Sequence, residues 1–377
     1  MIFITIYLVT TVVVLLLGLL VKLKFKFNAL NMTYSIHGIN IYLIVTFVIM
    51  TSIMALRSPE VGVDTAPYTR IFNTIANSNT FIEAIKTAPL TAPIYVLICY
   101  VLSIFSKDPQ IMIVFSSFFV NIGLWHFIKK ESVNPVLSIF CWIGLSLFYC
   151  SMNGNRQCMA LVLVINALIY LTENIKSIKG WIMILLAAGI HSTSLFIIIA
   201  IFGIVFSEKV KNPMLIFYGS FAISLCVSIV YSPLIKMFIH FFPRYAMYLS
   251  GESSYSILEG TGGGRVVIIY LFLLSLCFLW FFAYKKNKIE LDKFHKKMFP
   301  ALIFGAVFGI FNCRNELINR MLWFYISLYI TFIPYILKKY YKIGHIFTVA
   351  TIGALFVYSF LTLIENQNGV VPYSFFW

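Results

Sequence analysis

Residues 151–194 read SMNGNRQCMALVLVINALIYLTENIKSIKGWIMILLAAGIHSTS. Arg156 opens a long apolar run, a turn carrying Lys176 and Lys179 reverses the chain, and a second apolar run climbs to His191. Each run is of the grade that crosses lipid, which takes about 20 apolar residues. Arginine and histidine at membrane depth are costly unless they face protein or a water-filled cavity. Arg156 and His191, at the mouths of neighbouring runs and opposite the lysines, therefore point to a site on one membrane face.

The rest of the chain has the same character. It is 61% hydrophobic and 11% charged, with a mean hydropathy of +0.93, where a soluble domain carries about 25% charged residues. A soluble fold is excluded. Outer-membrane barrels alternate in short segments, whereas residues 2–21 and 266–284 are continuous apolar runs. The expectation is an all-α transmembrane bundle of about 10–12 spans, with short re-entrant or half-helices and a single integral-membrane domain over 1–377. Candidate spans are 2–21, 36–56, 90–106, 110–128, 135–151, 157–173, 181–206, 213–231, 266–284, 298–311, 321–337 and 343–364. The first run lacks a basic leader and an A-x-A site, so it reads as a retained helix.

Basic clusters at Lys22/24/26, Lys129/130, Lys176/179, Lys209/211, 285–297 and Lys338/339/342 are placed in the cytoplasm by the positive-inside rule. They also account for the net charge of +15 without a nucleic-acid partner. The segment 181–206 fits this scheme as a hairpin of two short helices with His191 at its tip. One conflict stands: three runs separate Lys26 from Lys130, where parity asks for an even number, so one run is re-entrant or one cluster lies outside. Seven cysteines occur without a C-x-x-C and six histidines without an H-E-x-x-H, so neither a disulfide framework, a metal site nor a cofactor is expected.

The arginines are sorted differently from the lysines. On this topology all seven (Arg57, Arg70, Arg156, Arg244, Arg265, Arg314 and Arg320) fall outside. Lysine and arginine serve topology equally, but the rigid guanidinium fork is the better clamp for phosphate or carboxylate. The set therefore suggests an anionic ligand at the external surface. Around it, Asp64 in the loop 57–72 reads either as the N-cap of a short helix presenting Tyr68 and Phe72, or as a general base or sugar-hydroxyl acceptor beside Arg57. Tyr245, Tyr248 and Tyr255 read either as an interfacial aromatic belt or as a sugar-stacking surface. Gly262-Gly263-Gly264-Arg265 opens a helix that would favour an anion but lacks a P-loop ending. Glu316 and Arg320 have the spacing of a helical ion pair, which leaves Arg314 for a ligand, and Gly305 and Gly309 form a close-packing G-x-x-x-G.

Three stretches together resemble the EpsG family of bacterial polysaccharide polymerases, a Wzy-like group. Arg57 with V-G-V-D-T-A-P-Y-T-R-I-F is similar to that family's R…V-G-x-D-x-x-x-Y-x-x-x-F. N-G-N-R-Q-C-M-A, followed by A-A-G-I-H-S-T-S-L, is similar to N-x-x-R-Q-x-x-A and A-x-x-x-H-x-S-x-L. The ending N-Q-N-G-V-V-P-Y-S-F-F-W is similar to the family's terminal P-Y. Ala92 departs from the pattern, which often has an acidic residue there.

The resemblance implies a glycosyltransferase of the bacterial cytoplasmic membrane, working at its outer face. It would transfer a growing glycan from undecaprenyl diphosphate onto a lipid-linked repeat unit, with a flippase and a chain-length regulator as pathway partners. Arg156 is then the central phosphate ligand, supported by Arg57, Arg244 and Arg314, with Asn155, Gln157, Tyr68, Tyr245, Tyr248, Arg265, Glu316 and Arg320 as further substrate-binding candidates. His191 ranks above Asp64 as the base, because a neutral imidazole near pH 7 needs no large pKa shift. A lipid-linked oligosaccharide flippase or an O-antigen ligase stands as the alternative; a flippase is expected to carry internal repeats and charges along a path through the bilayer.

Overall fold

The computed structural model describes residues 2–24, 36–88, 91–241, 264–287, 290–314, 316–339 and 345–377. Among them the chain is helical, and the sole bridge is an isolated antiparallel pairing of Arg57 with Phe375. In order the helices are α1 (Ile2–Lys24), α2 (Ile36–Ala55), α3 (Thr65–Ala76), α4 (Phe81–Thr87), α5 (Pro93–Phe105) and α6 (Gln110–Glu131). Then come α7 (Pro135–Gly144), α8 (Leu147–Asn153), α9 (Asn155–Glu173), α10 (Ile178–Ile190), a 3-10 turn (Ser192–Ile197) and α11 (Ile198–Lys209). The last are α12 (Pro213–Phe241), α13 (Gly264–Asn287), α14 (Lys293–Asn312), α15 (Glu316–Ile326), α16 (Tyr329–Lys339) and α17 (His345–Ile364). Eight helical segments among the described residues are long and apolar enough to span a membrane, and two bent pairs bring the number to ten. The chain is a polytopic helical membrane protein, as its composition requires.

Both bent pairs fall inside expected spans. α7 and α8 meet at 57° because Ser146 takes a left-handed φ of 62°, a conformation that cannot continue a right-handed helix. α15 and α16 meet at 45° around Ser327-Leu328. The 181–206 segment is likewise broken: α10 ends at Ile190, and the 3-10 turn separates it from α11. α5 has 13 residues and at about 1.5 Å per residue is shorter than the hydrocarbon core of about 30 Å. Leaving α5 out of the crossings removes the parity conflict between Lys26 and Lys130.

The chain packs as two compact units, one of Met1–Ala167, Trp181–Ser194 and Tyr340–Trp377, the other of Leu168–Gly180 and Leu195–Lys339. In the second, α14 is the hub, packed by α11, α12, α13 and α15. Gly305 and Gly309 allow this: a Cβ on Gly305 would stand 2.5 Å from Tyr325 Cβ, and one on Gly309 2.2 Å from the Tyr270 ring. At the other end of α14, Asp292 accepts from His295 N at 2.8 Å and from His295 Nδ1 at 2.7 Å, while Lys293 and Lys297 pair with Glu173 and Glu208. Burial alone would raise the Asp292 carboxyl, but hydrogen bonding and charge from His295 outweigh it and hold the carboxyl below its usual range.

The first unit carries the motifs. α2 packs on α6, α1 on α7, and α3 on α5. α3 is amphipathic: Tyr68, Phe72 and Ile75 are buried, while Arg70, Asn73 and Thr74 are exposed. With 12 residues and a polar outer face, it does not span.

Candidate functional site

Arg57 follows the last turn of α2 and is fully buried. It donates through Nη1 to Met54 O and, more distantly at 3.4 Å, to Ser117 Oγ of α6. Through Nη2 it donates to Met152 O at 3.1 Å and Asn155 Oδ1 at 2.8 Å. Met54 and Met152 lie in the last turns of α2 and α8, so the guanidinium sits against the negative ends of two helix dipoles. Burial pulls its pKa down to about 10, which leaves it cationic at pH 7. Its acceptors are neutral, and the group is turned wholly into the protein. Asn155 is likewise fully buried, with its side-chain oxygen committed to Arg57.

The loop after Arg57 is stitched to the same place. Gly62 has φ 98°, and a Cβ there would come within 2.6 Å of Met152 O, so this position needs glycine both for its conformation and for its close backbone approach. Asn153 Oδ1 accepts from Asp64 N at 2.8 Å. Asp64 occupies the N-cap position of α3 but its side chain makes no capping hydrogen bond; its carboxyl is buried.

The C-terminal tail closes the loop from the other side. Ser58 N donates to Ser374 O, Phe376 N to Leu56 O and Gly62 N to Gly369 O, and Arg57 bridges Phe375. Tyr373 donates to Ile53 O at 2.9 Å, and Tyr7 to Val370 O at 2.7 Å. The V-G-V-D loop, the N-G-N-R-Q turn and the P-Y tail, far apart in the chain, thus form one structure.

Arg156 has a different environment. It lies in the first turn of α9, half-buried, with its Nε enclosed and without a hydrogen-bond partner. Its Cζ is 5.6 Å from the Tyr68 ring centre and 5.0 Å from that of Tyr95. Among the described residues the ion pairs are made by other side chains, and Arg156 has neither a carboxylate nor a hydrogen-bond acceptor. A cation in the first turn also opposes the helix's own dipole, so the position is electrostatically costly.

His191 follows the last residue of α10: its N–H still donates to Ala187 O at 2.8 Å, and its Nδ1 lies 2.7 Å from Thr193 Oγ1. Gly189 in the same turn packs against Ile94, the neighbour of Tyr95, where a Cβ would come within 2.4 Å. Gln157 is buried beside Arg156 in the sequence. The first unit therefore holds Arg57, Asp64, Tyr68, Asn155, Arg156, Gln157 and His191.

Arg314 and Arg320 belong to the second unit: Arg314 is exposed at the turn after α14, and Arg320 is half-buried on α15. Arg244, Tyr245 and Tyr248 lie outside the described residues, as do the side chains of Arg265 and Glu316. Sequence reasoning missed Tyr95 and Asn153. Tyr95 carries no local signal, since its partner is brought from a distant helix, whereas Asn153 is the asparagine of the N-x-x-R-Q pattern, a signal that could have found it.

The EpsG family model matches residues 40–375, a range that takes in the first two motifs and the Pro372-Tyr373 of the third. The chain belongs to the EpsG family. No curated protein and no solved structure matches it. Membership in the EpsG family gives the chain a polymerase-type role in polysaccharide biosynthesis, and its helices make it a multi-pass membrane protein.

Proposed function

We propose that this EpsG-family chain polymerises a lipid-linked glycan at the outer face of the bacterial cytoplasmic membrane, with Arg156 binding the carrier diphosphate. The observation that carries the reading is Arg156 itself: a half-buried guanidinium at a helix N-terminus, held on two tyrosine faces and left without an acceptor among the described residues. Such a group asks for an anion, and its fork suits phosphate oxygens. Arg57 acts differently, as the internal tie that fixes the Asn155–Arg156 turn.

The step is a displacement at the anomeric carbon of the growing chain. The acceptor sugar's hydroxyl oxygen forms the new C–O bond as the bond from carbon to the diphosphate oxygen breaks, with inversion. His191 takes the hydroxyl proton; an Nδ1–H donated to Thr193 is the tautomer that keeps a lone pair on Nε2. Arg156 stabilises the charge growing on the departing undecaprenyl diphosphate. The leaving group is built into the donor, so the reaction needs no nucleotide at this membrane face.

The lipid-linked glycan profile of a cell lacking this chain tests the assignment. Loss of long chains, with single repeat units still delivered to the outer face, is the expected result. Long polymer stranded on undecaprenyl diphosphate would instead indicate a ligase, and repeat units trapped on the cytoplasmic face a flippase.

A further inference from the structure

The Tyr68 and Tyr95 ring centres are 6.3 Å apart, their planes inclined at 57°. With Arg156 Cζ at 5.6 and 5.0 Å from them, the three centres make a compact triangle in which the two rings lie on the same side of the guanidinium carbon. Both rings therefore press on one flank of the guanidinium and leave the opposite flank to other groups. A ring face attracts a cation through its quadrupole, whereas the N–H bonds of a guanidinium lie in the guanidinium plane. The rings restrain the cation without consuming the donors that a phosphate needs.

The mounts of these rings are firm. Tyr95 is fully buried in the first turn of α5, after Pro93, and its neighbour Ile94 fills the space above Gly189 of α10. Tyr68 projects from the buried face of α3, which packs on α5.

We infer that Tyr95, together with Tyr68, is a positioning residue that holds the Arg156 guanidinium in the orientation that receives a lipid diphosphate. The inference deepens the functional reading above and rests on it. A free arginine loses rotamer freedom when it binds; one already held on two rings has lost much of it beforehand, and the ligand gains the difference.

The test is equilibrium binding of undecaprenyl diphosphate to the detergent-solubilised full chain. Tyr95→Leu removes the ring, and affinity is expected to fall about 3- to 10-fold, the cost of ordering one long side chain on binding. Tyr95→Phe keeps the ring face and is expected to restore the affinity. In an Arg156→Met background the Leu and Phe variants are expected to bind alike, since no cation is left for the ring to hold. A Tyr95→Leu protein that binds like the unmodified chain, or whose loss persists undiminished over Arg156→Met, overturns the inference; the second result marks Tyr95 as merely structural. If Arg156→Ala binds as tightly as the unmodified chain, the diphosphate reading itself has failed, and the positioning role falls with it. If Tyr95→Leu does not accumulate in the membrane, Tyr68→Leu in the same two backgrounds measures the same coupling.

Discussion

Arg57 bonds to Asn155, the residue before Arg156, yet the two arginines should respond oppositely to truncation. Arg57→Ala removes the Nη2 bonds to Asn155 and Met152, at 2.8 and 3.1 Å, together with the Nη1 bond to Met54 O. Hydrogen bonds to charged groups are worth about 1.5–3 kcal/mol each. Two of them give about 3–6 kcal/mol, and the abandoned buried acceptors keep the cost from being recovered. That is a large share of the roughly 5–15 kcal/mol that holds a folded protein together. Arg156→Ala loses two ring contacts worth about 0.5–2 kcal/mol each but also removes a half-buried charge without a counter-ion, so the two effects offset. Membrane abundance and thermal unfolding of the solubilised protein measure the first quantity, and the cellular glycan ladder the second. The expectation is that Arg57→Ala fails to accumulate or melts far earlier, whereas Arg156→Ala accumulates normally and makes no long chains. A stable Arg57→Ala protein with a normal ladder, or an unfolded Arg156→Ala protein, would refute this division of labour.

Other expectations follow from the same geometry. Gly62→Ala must force a side chain into a φ of 98° and to within 2.6 Å of Met152 O, at a cost of at least about 1–2 kcal/mol; the thermal midpoint of the purified variant reads it. Thr193→Val removes the partner of His191 Nδ1. It should lower turnover by up to the about 10²–10⁴-fold that a positioned base supplies, with KM little changed and Thr193→Ser restoring the rate. Asp292 is held below the usual carboxylate range by His295. Its stabilisation is therefore present above the unfolded pKa of about 3.9 and fades as pH falls through the lower folded value. Melting curves of the unmodified chain and Asp292→Asn between neutral and acid pH should converge as Asp292 takes up its proton.

Hydropathy found the long helices, because a lipid-crossing helix must be long and apolar wherever it sits, but it also counted 90–106 as a span, where α5 has only 13 residues. The breaks inside spans were less legible. The Gly144–Leu147 bend depends on Ser146 adopting a left-handed conformation, which nothing in the residue type demands. The break at His191 was readable because a polar cluster interrupts two apolar runs. The motif residues pointed to one site, but their roles were not separable from sequence. Arg57 and Arg156 look alike as outward arginines; tertiary packing buries one against helix carbonyls and leaves the other facing aromatic rings. Likewise the tail could be quoted as a motif, yet its backbone pairing with residues 56–63 depends on long-range folding that no local pattern carries.

The most direct test of the central claim uses the purified full chain in proteoliposomes, supplied only with an undecaprenyl-diphosphate-linked repeat unit. The account predicts longer lipid-linked glycans, one undecaprenyl diphosphate released for each linkage formed, and neither product from a folded Arg156→Ala protein. Equal elongation by Arg156→Ala, or no elongation by the unmodified chain under conditions in which it binds the lipid, would contradict it.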